Sequence, residues 1–236
     1  MVTKLTNSEA EQLKAAGIIV DNSLSTPEII TEVAKKGYDE TELKAGKGKL
    51  TTAQQALSDQ TKKEGIAQDA TKAEGAAKAD AHTAYQDLAQ TLRGKYLPNS
   101  PELVKVGLVG SESKSTADII KDGYTLFDNA ASDANIAAYI LIKGYTPEFI
   151  QSERAKIAAY EQANKDQVKA MGAASDSTKA KVTAFKEMND WLSEYKASAR
   201  VALRKKPALL EQLGIKIRKR KPPKKNNKNN KTPPAQ

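Results

Sequence analysis

Two stretches of this chain match each other, DNSLSTPEIITEVAKKGY at residues 21–38 and DNAASDANIAAYILIKGY at residues 128–145. They lie 107 positions apart, and both begin with Asp-Asn and end with Lys-Gly-Tyr. At the same offset, residues 13–99 align with residues 120–206 without a gap. A match of this length indicates an internally duplicated unit.

The apolar spacing of each copy predicts helices. Leu43, Leu50 and Leu57 recur every seventh residue, and this spacing is typical of a helix and not of the alternation in a half-buried strand. Thr26 before Pro27, and Asp133 in the second copy, are expected to cap helices. We therefore expect an all-α fold of two tandem, quasi-equivalent helical-bundle units, each a long antiparallel helix pair braced by short helices.

Glycine and aspartate positions predict where these helices end. Gly37 and Gly144 follow lysine in both copies, as expected for helix C-termini. Further ends and turns are expected at Gly17, Gly123, Asp21-Asn22, Asp128-Asn129, Gly65 and Gly172, with Asp69 and Asp176 as caps of the fourth helices. The predicted domains are residues 1–110, residues 111–215 and a tail at residues 216–236.

Composition excludes several classes of protein. The chain has no cysteine, which excludes disulfides and thiolate chemistry. Its longest apolar run, residues 136–142, is much shorter than a membrane span, and no secretory signal is visible near the N-terminus. We expect a soluble, cytoplasmic protein that does not span a membrane.

The net charge of +9 is concentrated in the tail. Acidic residues are absent from residues 216–236, and prolines and asparagines predict that this segment is disordered. The basic residues expected to bind a polyanion are Lys216, Arg218, Lys219, Arg220, Lys221, Lys224 and Lys225. Sequence-independent binding of nucleic acid, contact with an acidic protein surface, and solubility alone all remain open.

The stretch 135–142 is apolar on every face of the predicted helix, whereas its counterpart, residues 28–35, is only amphipathic. A helix of this kind is surrounded by other groups on all sides. It is either packed between the two units or part of an interface with another chain. The residues expected to mediate self-association are Ile136, Tyr139, Ile140 and Ile142.

No catalytic constellation is predicted. His82 is the only histidine, and it aligns with Asn189 in the second copy. A single histidine is too few for a His-rich metal site, and no Ser-His-Asp triad is predicted around it. We expect no catalytic residue, no metal and no cofactor.

These observations favour a non-enzymatic structural or scaffold protein that forms a homo-oligomer or docks into a larger assembly through helical faces. A duplicated chain resembles a built-in dimer and can occupy two equivalent positions in an ordered assembly. The alternative is a sequence-independent nucleic-acid-associated protein that binds phosphates through its C-terminal tail.

Overall fold

The computed structural model describes residues 7–110 and 115–216, and every regular element in these ranges is an α-helix. The all-α class is therefore confirmed. The helices are α1 (Asn7–Ser25), α2 (Pro27–Ala34), α3 (Glu40–Arg93), α4 (Pro101–Lys105), α5 (Thr116–Ser132), α6 (Ala134–Ile142), α7 (Pro147–Ala202) and α8 (Pro207–Gln212). None of these helices has the length and apolar character needed to cross a membrane.

Contacts divide the chain into two compact units, and each long helix contributes to both. The α5–α6 unit contains Gln54–Ala184. The α1–α2 unit combines the described residues up to Ala53 with those from Phe185 onward. The predicted boundaries at 110 and 215 follow the sequence repeat, whereas this division follows proximity in space.

The predicted turns at Gly65 and Gly172 are wrong, because α3 and α7 continue through both residues. Most residues around them are Ala, Lys, Gln and Glu, which favour helix, and one glycine costs only about 1 kcal/mol against alanine. Asp69 and Asp176 therefore do not cap helices. Each lies within a helix and pairs with the lysine three residues later, at 3.6 and 3.1 Å.

The predicted ends at Gly17 and Gly123 are also wrong, since α1 and α5 extend to Ser25 and Ser132. Both Asp-Asn pairs consequently lie in helices instead of turns. At Gly123, a Cβ atom would lie 2.8 Å from Ile157 Cδ1. This glycine allows α5 and α7 to approach closely. The close approach needs only the missing side chain, so the residue can keep a helical φ.

The helix ends predicted at Lys-Gly-Tyr are confirmed. Gly37 and Gly144 adopt φ values of 85° and 90°, which favour glycine. The amide of Tyr38 donates to the Val33 carbonyl at 3.2 Å, and the amide of Tyr145 donates to the Ile140 carbonyl at 3.0 Å. These bonds satisfy carbonyl groups that the helix end would leave unpaired.

Three aromatic side chains pack together in the α1–α2 unit. The Trp191 ring stacks on Tyr195 with centroids 5.1 Å apart, and Tyr38 meets both rings edge-on. A Cβ atom at Gly46 would overlap the Trp191 ring. The glycine that weakens α3 by its propensity thus provides the space that the indole occupies.

The core of the α5–α6 unit is mainly aliphatic. It joins the C-terminal part of α3 and the short helix α4 to α5, α6 and the N-terminal part of α7. Its fully buried larger side chains are Leu88, Leu92, Leu126, Phe127, Ile136, Ile140, Ile157 and Tyr160. This core fixes the position of α6.

Candidate association surface on α6

The N-terminus of α6 is fixed by its capping residue. The Asp133 carboxylate accepts hydrogen bonds from the amides of Asn135 and Ile136 at 3.0 and 3.1 Å. Lys105 Nζ donates to the same carboxylate at 2.7 Å, and this bond, with the amide of Ile136, lowers the pKa of Asp133. The predicted cap at Asp133 is therefore confirmed, and α4 is tied to the start of α6.

The structure separates the four residues predicted for self-association. Ile136 and Ile140 are buried in the core of the α5–α6 unit. Tyr139 is half-buried against that core, and Ile142 is 81 % exposed. In the described part of the chain, α6 therefore has one buried face and an uncovered C-terminal end.

Tyr139 is held by contacts within its own unit. Its hydroxyl donates to the Thr91 carbonyl at 3.5 Å, and its ring meets Tyr96 edge-on with centroids 6.0 Å apart. The ammonium groups of Lys95 and Lys143 lie 5.3 and 5.7 Å from the ring centroid, within range of a cation–π interaction. The surroundings of the Tyr139 ring are consequently cationic.

The uncovered end of α6 is apolar. Leu141 is 53 % exposed and lines a groove of about 210 Å³ together with Tyr145 and Pro147. Phe149, 44 % exposed, contacts Tyr145 with ring centroids 5.4 Å apart. We call Leu141, Ile142, Phe149 and this groove the α6 surface.

The equivalent positions in the first copy are polar or small. Leu141, Ile142 and Phe149 correspond to Ala34, Lys35 and Glu42 at the offset of 107. Lys35 pairs with Glu32 at 2.9 Å, and Glu42 accepts a hydrogen bond from Trp191 Nε1 at 2.9 Å. The exposed apolar surface is thus a property of the second copy.

Sequence reasoning missed Leu141 and Phe149 as members of this surface. The signal for Phe149 was its alignment with Glu42, because an apolar residue there replaces a charged one. Leu141 could not be separated from its buried neighbours by sequence, since every side chain from Ile136 to Ile142 is apolar.

The predicted polyanion-binding residues lie almost entirely beyond the described ranges. Lys216 is exposed, and Ile215 before it is 4 % exposed with its amide donating to the Leu210 carbonyl at 2.9 Å. The residues outside the described ranges are Arg218, Lys219, Arg220, Lys221, Lys224 and Lys225. The residue before Lys216 is therefore bound to α8 through its amide.

His82 lies on an exposed face of α3. Within residues 7–110 and 115–216, no three His, Asp or Glu side chains are grouped so that they could hold a metal ion. Comparison with protein-family models, with curated proteins and with solved structures finds no match to this chain.

Proposed function

We propose that this protein is a non-enzymatic helical scaffold that associates with further copies of itself through the α6 surface. The observation that carries the proposal is the exposed apolar end of α6. Ile142 is 81 % exposed, and Leu141 beside it is 53 % exposed. Apolar side chains gathered around a groove are typical of association sites, whereas single exposed ones are not.

The comparison between the two copies supports the proposal. A solvent-exposed helix end needs no leucine, isoleucine or phenylalanine, and the first copy carries none at these positions. Burying such side chains stabilises a complex by roughly 25 cal/mol per Å² of apolar area removed from water. The second copy has Phe149 where the first copy has Glu42, and this difference therefore favours binding to a partner as well as a stable fold.

Light scattering of the full chain over a range of concentrations tests this function. We expect the mass of the natural protein to rise with concentration, and the variant with Leu141→Lys and Ile142→Lys to remain a monomer. Val201→Lys is the matched control, because Val201 is 61 % exposed on α7 and lies outside the α6 surface. A natural protein that stays monomeric, or a double variant that associates equally well, would contradict the proposal.

A second candidate function is sequence-independent nucleic-acid binding through the basic tail. It is favoured by the composition of residues 216–236, which contain nine basic residues and no acidic one, and by the exposure of Lys216. Phosphate neutralisation releases counterions, so affinity falls steeply as salt rises. The tail has no aromatic residue for base stacking, which favours contacts with the phosphate backbone alone.

Fluorescence anisotropy with two unrelated DNA duplexes separates this second function from the first. We expect equal affinity for both duplexes, with the slope of log affinity against log salt falling by roughly 0.9 for each phosphate contact. The variant with Lys219→Gln, Arg220→Gln and Lys221→Gln should have a shallower slope. If removal of residues 216–236 leaves the binding unchanged, the tail is not the site.

A further inference from the structure

The same contacts hold both units, at positions related by the sequence repeat. Asn22 Nδ2 donates to the Gln212 carbonyl at 2.6 Å, and Asn129 Nδ2 donates to the Lys105 carbonyl at 2.6 Å. Asn129 lies 107 residues after Asn22, and Lys105 lies 107 residues before Gln212. Each bond therefore joins one copy to the other.

A second pair of contacts also joins equivalent positions of the two copies, but through different side-chain groups. Gln212 Nε2 donates to Thr26 Oγ1 at 3.2 Å, and Lys105 Nζ donates to Asp133 Oδ2 at 2.7 Å. Thr26 and Asp133 are the capping residues of α2 and α6. In each unit, the helix cap of one copy is thus bound by the short terminal helix of the other copy.

The division into units agrees with these contacts. Residues 1–110, copy 1, contribute α1, α2 and the start of α3 to the α1–α2 unit, but the remainder of α3 and α4 to the α5–α6 unit. Residues 111–215, copy 2, are divided in the same way along α7. Neither copy contains a complete unit.

We propose that the two copies are complementary halves of a built-in dimer, and that the partner which fits either half is the opposite half of a second copy of this chain. Two chains that are unfolded and refolded together would then exchange halves and re-form both units with all of the contacts above, whereas the folded chain keeps its own halves paired. Exchange of identical elements between chains is a low-cost route to oligomers. The inference holds whatever the α6 surface binds.

A difference in side-chain size makes the pairing specific. Gly46 of copy 1 leaves room for Trp191 of copy 2. The residues at the corresponding positions are Glu153 and Ala84, which are both buried. Pairing copy 2 with itself would set Glu153 against Trp191, and pairing copy 1 with itself would leave Gly46 opposite Ala84 with the indole missing. Only the pairing of copy 1 with copy 2 places Trp191 against a glycine.

Cleavage of the connection between the copies tests the complementarity. A protease site replaces residues 111–114 in the full chain, and the folded protein is then cut. We expect both fragments to elute together at the mass of the intact chain, with unchanged helical circular dichroism. Two fragments that separate as folded monomers would overturn the proposal.

Exchange between chains is measured with the same cleavable protein. Tagged and untagged cut chains are unfolded together, refolded and captured by a tag on copy 1. We expect the captured sample to contain untagged copy 2 in about the proportion in which it was mixed. Recovery of untagged copy 1 in equal amount would show that pairing is not specific, and would refute the size match.

A double-mutant cycle in the uncut chain tests the size match directly. Gly46→Glu with Trp191→Ala introduces into the α1–α2 unit the residues that stand at the corresponding positions 153 and 84. Each single variant should raise the unfolding equilibrium constant. Because the two contacts are coupled, we expect the rise in the double variant to be at least roughly tenfold smaller than the product of the rises in the two single variants. Independent effects would show that the two positions do not act as a pair.

Discussion

Replacing Gly65 and Gly172 by alanine should stabilise the protein. Both residues lie inside the long helices α3 and α7, and neither has a positive φ. A Cβ atom built at either position meets no heavy atom within 4 Å. The methyl group therefore adds helix propensity without a clash.

The expected gain can be worked out from propensity alone. Alanine is about 1 kcal/mol more favourable than glycine in a helix interior, so the two substitutions together should contribute about 2 kcal/mol. For a chain of this size, 1 kcal/mol raises the melting temperature by roughly 2–4 °C. The double variant should consequently melt about 4–8 °C higher than the natural protein.

Thermal unfolding followed by circular dichroism at 222 nm measures this shift. Gly37→Ala is the matched control, because Gly37 also has no neighbour within 4 Å but adopts a φ of +85°. It should lower the melting temperature, since alanine is strained in that conformation. If Gly65→Ala and Gly172→Ala also lowered it, the glycines would form turns and the long helices would be broken.

Three further substitutions test individual contacts. Hydrogen bonds from Lys206 and Lys35 lower the pKa of Glu32 from 4.5 to about 2. The ionised Glu32 carboxylate therefore stabilises the fold fully above pH 4.5, and this stabilisation is lost as the pH falls towards 2. Glu32→Gln should consequently flatten the acid-unfolding curve between these two pH values. Gly123→Ala should destabilise the fold by about 1 kcal/mol in urea unfolding, because overpacking outweighs the propensity gain, and Ile157→Val should recover part of that loss. Tyr195→Phe removes the buried hydroxyl that lies 2.5 Å from Ser23 Oγ, and should cost about 1 kcal/mol in the same assay. An unchanged acid limb, a neutral Gly123→Ala or a neutral Tyr195→Phe would each contradict the contact concerned.

The sequence predicted those features that local chemistry determines. The helical class follows from the spacing of apolar residues. Pro27 and Asp133 mark helix starts, and Gly37 and Gly144 mark helix ends, because each acts within one turn of its own backbone. These predictions needed no knowledge of the tertiary fold.

Several wrong predictions concern glycines, because the role of a glycine can depend on distant residues. Gly123 was expected to end a helix, but it makes room for Ile157, which comes later in the chain. Gly65 has no such neighbour, and the helix simply continues through it. A glycine in the sequence is compatible with a turn, with close packing against another helix, or with an uninterrupted helix. Only the tertiary packing shows which of these roles it has.

The candidate association surface was predicted in part for a similar reason. The apolar character of residues 136–142 is evident from the sequence, but the side that the fold covers is not. Burial of Ile136 and Ile140 depends on a core built from α3, α4, α5 and α7. Ile142 is the last residue of α6 and is 81 % exposed.

The unbroken course of α3 imposes a helical phase on its sequence. Leu43 and Leu50 are both buried on the first part of this helix, which belongs to the α1–α2 unit. Each residue advances an α-helix by about 100°, so a single residue inserted between Leu43 and Leu50 would turn one of them away from the core that holds the other. An insertion of seven residues would restore the rotation to within about 20°. Insertions in this part of the helix should therefore be tolerated as whole heptads, while substitutions at exposed positions leave the phase unchanged.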